Sequence, residues 1–224
     1  LEVLEALKPL GGILCVHCEN GTLVDRLQQR VFDSGVTGPE GHPLSRPDVC
    51  EAEAISRLLY IAHLAGDAKV NVVHLSTRLG LEAIRDAKAR GQKNIYVETC
   101  PQYLLLDDSR YKEEGEDGFA GAKYVMSPPL RKPTDVAALR EAVVAGEIDT
   151  IATDHCSFNL HGQKDRGVGD FRKSPNGGPG IEHRPALMAT SFAGQLGPED
   201  LCRLMSEGPA KVFGMWPRKG RLAE

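Results

Sequence analysis

Three side chains that can bind a divalent metal ion stand at the ends of short apolar runs in this sequence: His17, His74 and Asp154. Imidazole and carboxylate groups are ordinary ligands of Zn²⁺ and similar ions. A bound ion lowers the pKa of water to about 7, which makes hydroxide available as a nucleophile at neutral pH. A carboxylate beside it can accept and return a proton, a role that suits Asp154. The three residues therefore predict metal-assisted hydrolysis.

Other polar residues share this position at the ends of extended segments, among them Glu98 and Ser127. A single strand-end histidine is equally well explained as a core residue that one hydrogen bond satisfies, but two of them with an aspartate favour a ligand set. On an extended chain His155 points to the opposite face from Asp154. We therefore interpret it as a residue that supports the site without binding the metal. The shared position of these groups is the most informative feature of the sequence.

Alternating strands and helices are predicted to position these groups. The predicted strands cover about 13–16, 70–73, 94–97 and 148–152, and the main helices about 22–34, 49–65, 79–90, 134–145, 182–195 and 198–213. Short continuous apolar runs, including 13–16, are typical of strands buried on both faces of a parallel sheet. We therefore expect an α/β fold with helices covering the sheet. Ligands of such folds bind at the carboxyl ends of the strands.

Composition excludes several classes of function. The 224 residues are 41% hydrophobic and 26% charged, which is an ordinary globular balance. A net charge of -4 and only 5% aromatic residues provide no basic or stacking surface, so no nucleic-acid partner is predicted. No apolar run approaches the roughly 20 residues of a membrane helix, so no membrane partner is predicted either. The six scattered cysteines predict reduced thiols and a cytoplasmic location.

Several ordered motifs resemble those of one enzyme family. His17-Cys18-Glu19-Asn20-Gly21 resembles the strand-end His-Ala-Glu-Asn-Gly motif of the cyclic amidohydrolases, and residues 72–76 resemble their next metal-histidine strand. Further motifs match in the same order at 98–104, 126–131, 153–159 and 176–180. Within this superfamily, residues 38–47 and 217–220 are most similar to the dihydropyrimidinase and D-hydantoinase branch. The resemblance covers essentially the whole chain.

The resemblance implies a (β/α)₈ TIM barrel of the metal-dependent hydrolase type. It implies ring opening of a dihydropyrimidine or a 5-substituted hydantoin to the N-carbamoyl amino acid by a metal-bridging hydroxide. By this analogy His17 and His74 bind one metal ion, and Asp154 binds the other and acts as general base and then acid. Main-chain groups at Ser127 and Asn176 would hold the amide and imide edge of the ring. Without the analogy, Ser127 is equally a turn residue and Asn176 a loop residue.

The chain departs from the family pattern in its ligand set. It contains no His-x-His pair, and none of its lysines lies in the expected position before His17. We therefore expect residues 1–224 to be the C-terminal half of the catalytic barrel, with strands five to eight and their helices. The N-terminal half-barrel and a flanking β-sandwich would be absent, and the chain alone is expected to be inactive or to bind metal very weakly. The resemblance implies two Zn²⁺ per full-length subunit, bridged by a carboxylated lysine outside this chain, a cyclic ureide or imide as substrate, and a homotetramer.

Three alternatives remain open. A non-catalytic dihydropyrimidinase-like binding protein would share the fold, but the retained His17, His74 and Asp154 favour the enzymes. Allantoinase and dihydroorotase are sister enzymes, from which Gln102 and the run after His155 differ. A zinc nucleobase deaminase would explain the His-x-Glu pattern at 17–19, but the required Pro-Cys-x-x-Cys is missing. A structural zinc site at Cys15 and Cys18 is not favoured either, because it would need a second cysteine pair that the sequence lacks.

Overall fold

A parallel four-stranded sheet forms the centre of the computed structural model, which describes residues 1–116 and 118–222. Its strands, in spatial as well as chain order, are β1 (Leu14–Val16), β2 (Val70–Val72), β3 (Ile95–Thr99) and β4 (Thr150–Ile151). The order confirms the predicted succession of strands and crossover helices. Residues 117, 223 and 224, which the predicted domain range 1–224 includes, lie outside the described residues.

Helices connect and cover the strands. They are α1 (Glu2–Leu7), α2 (Gly21–Asp33), α3 (Gly41–Leu44), α4 (Asp48–Leu64), α5 (Arg78–Ala89), α6 (Pro101–Leu105), α7 (Pro133–Val144), α8 (Arg184–Ser191), α9 (Pro198–Cys202) and α10 (Gly208–Val212). Short 3₁₀ turns cover Lys8–Leu10, Asp108–Lys112, Ala120–Tyr124, Lys164–Gly167 and Phe171–Lys173. Within the described ranges, no helix is both long enough and apolar enough to cross a bilayer.

The predicted bounds of α2, α4, α5 and α7 are confirmed to within one residue. Side-chain caps fix two of the starts: Asn20 Oδ1 accepts from the Leu23 N–H at 3.2 Å, and Thr77 Oγ1 accepts from the Gly80 N–H at 3.0 Å.

The helix predicted over 198–213 is confirmed over Pro198–Val212, but a π-helical turn at Arg203–Glu207 divides it into α9 and α10. Pro209 lacks the N–H that a continuous α-helix needs at that point, so the regular ladder cannot run through.

The apolar core lies between the sheet and helices α4, α5 and α7. Its fully or almost fully buried members include Ile55, Leu59, Val70, Val72, Leu81, Ile84, Val97 and Leu139. Alternating residues of β3 are buried, and all three residues of β2 are buried. Burial of this surface is the main stabilising contribution to such a layered fold.

Strand β1 differs from the expectation that it is buried on both faces. Leu14 and Val16 are only half-buried and Cys15 is exposed. β1 is the first strand of the described sheet and pairs with β2 alone. Its apolar side chains therefore lack the neighbours that enclose β2.

Candidate active site

Two of the predicted metal ligands meet at the carboxyl ends of adjacent strands. Because Val16 pairs with Val72 in the β1–β2 register, the segments that follow both strands emerge side by side. His17 Nδ1 lies 2.9 Å from His74 Nε2, and the two rings stand edge to face with centroids 4.7 Å apart. The fold thus brings together two imidazole nitrogens that lie 57 residues apart in sequence.

His74 and Asp154 share an unusual backbone conformation. Their φ angles are 41° and 49°, and Asp67 is the other non-glycine residue of the described chain with positive φ. This conformation costs side-chain-bearing residues free energy and is concentrated at functional sites. Two of the three occurrences therefore coincide with predicted site residues.

Electrostatic contacts link Asp154 to the histidine pair. Burial lowers the pKa of His74, the neighbouring His17 lowers it further, and the Asp154 carboxylate opposes the shift. His74 is therefore neutral at pH 7, which is the form that binds a metal ion. Its Nδ1 is buried and has no hydrogen-bond partner among the described residues.

Glu19 holds the His17 ring, a role that the sequence pattern alone did not predict. His17 Nε2 donates to Glu19 Oε2 at 3.1 Å, which leaves the Nδ1 lone pair facing His74. The Glu19 side chain is only 2% exposed, and Arg46 Nη1 donates to the same oxygen at 2.6 Å. Carboxylates that bind the second nitrogen of a metal-binding histidine fix its tautomer and orientation.

The pKa of Glu19 shows that this carboxylate stays ionised. Burial would raise it, but the hydrogen bond from His17 and the charges of two neighbouring arginines outweigh burial, so the pKa lies below its ordinary value. Arg131 is the second of these arginines, with Nη2 at 3.9 Å from Glu19 Oε1. Glu19 is therefore ionised at neutral pH and accepts from the His17 ring.

The segment after His74 is also anchored by a buried carboxylate. Glu51 accepts from the Ser76 N–H at 3.0 Å, from Ser76 Oγ at 2.9 Å and from Thr77 Oγ1. Burial raises the pKa of Glu51. No local sequence pattern indicates this contact, since Glu51 lies 25 residues before Ser76 inside a regular helix.

The two predicted substrate-binding residues are also in contact. Ser127 Oγ donates to Asn176 Oδ1 at 3.1 Å, although the residues are 49 positions apart. In the described chain, the main-chain hydrogen bonds here involve the flanking residues Val125 and Gly177, and none uses the N–H or C=O of Ser127 or Asn176. These groups are therefore available to a ligand.

Glu98 and His155 lie beside these pairs. The Glu98 carbonyl accepts from the Leu75 N–H at 2.7 Å, directly after His74, and burial raises the pKa of the Glu98 carboxyl. His155 Nδ1 accepts from the Gly180 N–H at 3.1 Å, which fits the supporting role predicted for it.

The donor set fits part of a metal site. Two convergent imidazole nitrogens are suitable for zinc or a similar ion, whose structural and catalytic sites use at least three protein ligands. The described residues contain no group of three or more His, Cys, Asp or Glu that could hold an ion. His17, His74 and Asp154 therefore do not form a complete three-ligand group within the described residues.

The parallel sheet and the histidines at its strand ends define an α/β protein with a candidate metal site at the carboxyl ends of its strands, and comparisons with known proteins specify it further. The chain is 43% identical over 227 residues to a D-phenylhydantoinase of Escherichia coli O81 (strain ED1a), covering 99% of this chain and 48% of that protein. A search against models of protein families found no match.

Solved structures agree with this relationship. D-hydantoinase from Bacillus sp. AR9 and dihydropyrimidinase from Brevibacillus agri NCHU1002 are each 40% identical, with a TM-score of 0.93, 99% of this chain covered and 48% of theirs. The chain spans about half the length of the relatives it matches. The resemblance to the D-hydantoinase and dihydropyrimidinase branch of the cyclic amidohydrolases, and the partial-barrel fold, are thereby confirmed.

Proposed function

We propose that this chain forms part of the active site of a metal-dependent cyclic amidohydrolase. The reaction is ring opening of a dihydropyrimidine or a 5-substituted hydantoin to the N-carbamoyl amino acid. The observation that carries this proposal is the 2.9 Å contact between His17 Nδ1 and His74 Nε2 at the ends of adjacent strands. The 43% identity to a D-phenylhydantoinase supports the choice of substrate class.

The chain's own residues have distinct roles in this proposal. His17 and His74 hold a zinc ion, and Glu19 orients His17. Ser127 and Asn176 present main-chain groups to the –CO–NH–CO– edge of the ring, which fixes the scissile carbonyl. A bound divalent ion supplies a nucleophile from water and polarises that carbonyl.

Asp154 is the proposed proton carrier. It takes a proton from the attacking water and returns it to the leaving ring nitrogen, in addition to its role as a metal ligand. Its position three residues after β4 and its electrostatic interaction with His74 support this role.

The proposal extends to the whole protein. Residues 1–224 would form the second half of the barrel, and the first half would supply the other ligands, including a carboxylated lysine, for two zinc ions. A homotetramer and a cytoplasmic location remain predictions. The six unpaired cysteines support a reducing compartment.

The test is hydrolysis by the zinc-loaded full-length protein of dihydrouracil, hydantoin, allantoin and dihydroorotate in parallel. Turnover of the first two supports the proposal, and turnover restricted to either of the last two assigns a sister enzyme. We expect Asp154→Asn to abolish turnover without loss of the fold, whereas Asp86→Asn, at an exposed position on α5, should leave it unchanged. Retained activity in Asp154→Asn would remove Asp154 from the mechanism.

The isolated chain offers a second test. Because its described residues provide no group of three ligands, we expect less than one equivalent of zinc after equilibrium dialysis and no turnover of dihydrouracil. Stoichiometric zinc together with turnover would contradict the assignment of the missing ligands to another segment.

A further inference from the structure

Lys164 is a buried cation for which the proposed reaction gives no role. Its residue is only 2% exposed, and no carboxylate of the described residues forms an ion pair with it. Its Nζ donates instead to the carbonyl oxygens of Val125 at 2.7 Å and Pro175 at 3.1 Å. Burying an ammonium group without a counter-ion is costly, so its presence requires an explanation in terms of what it holds.

The two carbonyl groups belong to the segments that carry the substrate-binding pair. Val125 lies two residues before Ser127, and Pro175 lies directly before Asn176. The Val125 carbonyl also accepts from the Gly177 N–H at 3.0 Å. Asn176 is therefore fixed on both sides, through Pro175 on Lys164 and through Gly177 on the carbonyl that Lys164 binds.

The position of Gly177 shows how closely these segments pack. A Cβ atom there would lie 2.3 Å from the Cys156 carbonyl oxygen, and its φ of +150° is one that other residues rarely adopt. The Phe158 ring lies on another side of the ammonium group, with its centroid 5.7 Å from Lys164 Nζ. The segments next to the lysine are therefore closely packed.

We propose that Lys164 is a positioning residue for substrate recognition, which holds Ser127 and Asn176 in register so that their main-chain groups face one ligand edge. The inference rests on the proposed function for the identity of that edge. The ammonium touches no reacting atom and acts only through the two carbonyls. Burial lowers its pKa to about 8, so it is still largely protonated at pH 7 and donates as a cation.

The first measurement is amide hydrogen exchange at Gly177 in the chain itself, which needs no substrate. Lys164→Met keeps the aliphatic stem and removes both hydrogen bonds. We expect Gly177 exchange to accelerate roughly ten- to hundredfold, the effect of losing charged hydrogen bonds on the shared carbonyl. Lys173→Met is the matched control, because that side chain lies in the same loop but is 70% exposed.

The second measurement compares the change in KM with the change in kcat for the Lys164 variants of the full-length protein. A positioning role predicts that Lys164→Met raises the KM for dihydrouracil roughly tenfold or more, with a smaller change in kcat, while Lys173→Met matches the wild type. If Lys164→Met does not fold, Lys164→Arg takes its place, since it keeps the charge and one carbonyl contact and should fall between wild type and Met.

The two measurements separate this inference from the proposed function. Wild-type exchange at Gly177 in the Lys164 variants would overturn the inference, and so would faster exchange with an unchanged KM. If even the wild type hydrolyses no cyclic amide, the proposed function fails, and the Gly177 exchange rates alone decide whether Lys164 holds the loop.

Discussion

Replacement of His42 should change how the stability of this protein depends on pH. The His42 ring is only 2% exposed, and its Nε2 donates to the Met126 carbonyl at 2.7 Å, next to Ser127. Burial lowers its pKa from 6.5 to about 3, and the charge of Arg46 contributes in the same direction. His42→Gln keeps an N–H donor for the Met126 carbonyl but cannot titrate.

The sign and size of the effect follow from this shift. As the pH falls below 6.5, the unfolded chain binds a proton at His42, whereas the folded protein does not until about pH 3. The stabilising contribution is therefore complete above pH 6.5 and is lost progressively below it. At about 1.4 kcal/mol per pH unit, the loss between pH 8 and pH 5 is about 2 kcal/mol.

The assay is urea unfolding followed by circular dichroism between pH 8 and pH 5. We expect the unfolding free energy of His42→Gln to fall by about 2 kcal/mol less than that of the wild type over this range, with equal m-values. His63→Gln, at an exposed position on α4, is the matched control and should follow the wild type. Parallel curves for His42→Gln and the wild type would refute the reasoning, because they would mean that the buried ring titrates normally.

Two further predictions concern the segment after β1. Glu19→Gln should weaken zinc binding by the full-length protein roughly 10- to 100-fold, because the ring of His17 loses its ionised acceptor. Competition with a chelator measures the zinc affinity, and an unchanged affinity would exclude the orienting role of Glu19. Asn20→Ala should destabilise the fold by about 1 kcal/mol, because α2 loses its N-terminal cap. Urea unfolding at pH 7.5 detects this difference, and an unchanged unfolding midpoint would mean that water replaces the cap without cost.

Elements whose formation depends on local sequence were predictable. Helices α2, α4, α5 and α7 begin and end close to the predicted residues, because periodicity and terminal glycines determine both. The exposure of β1 was not predictable from the sequence. An apolar run indicates that a segment favours a buried strand, but it does not show which neighbouring strands cover it. Likewise, the interruption between α9 and α10 depends on how Pro209 is accommodated, and apolar spacing does not show this.

The same distinction applies to the site. Strand-end positions predicted His17, His74 and Asp154 as site residues, because the carboxyl ends of parallel strands lie at one edge of the sheet, and the fold brings His17 and His74 into contact. The groups that hold the site were not identifiable, because their partners are remote: 27 residues separate Glu19 from Arg46, 39 separate Lys164 from Val125, and 84 separate His42 from Met126. Only the packed fold shows these pairs.

Under the proposed function, the remote contacts explain how the main-chain groups that bind the substrate ring are held in place. Main-chain groups that bind a ligand cannot also be paired in a helix or sheet, so the segments around Ser127 must be held by their neighbours. Two buried donors hold consecutive carbonyls before Ser127: Lys164 binds that of Val125, and His42 binds that of Met126. Both donors act on the segment that would bind the ring edge, and neither is assigned a contact with the ring substituents. Under the proposed function, this chain therefore recognises the –CO–NH–CO– edge common to dihydropyrimidines and hydantoins, and discrimination between ring substituents belongs to other segments.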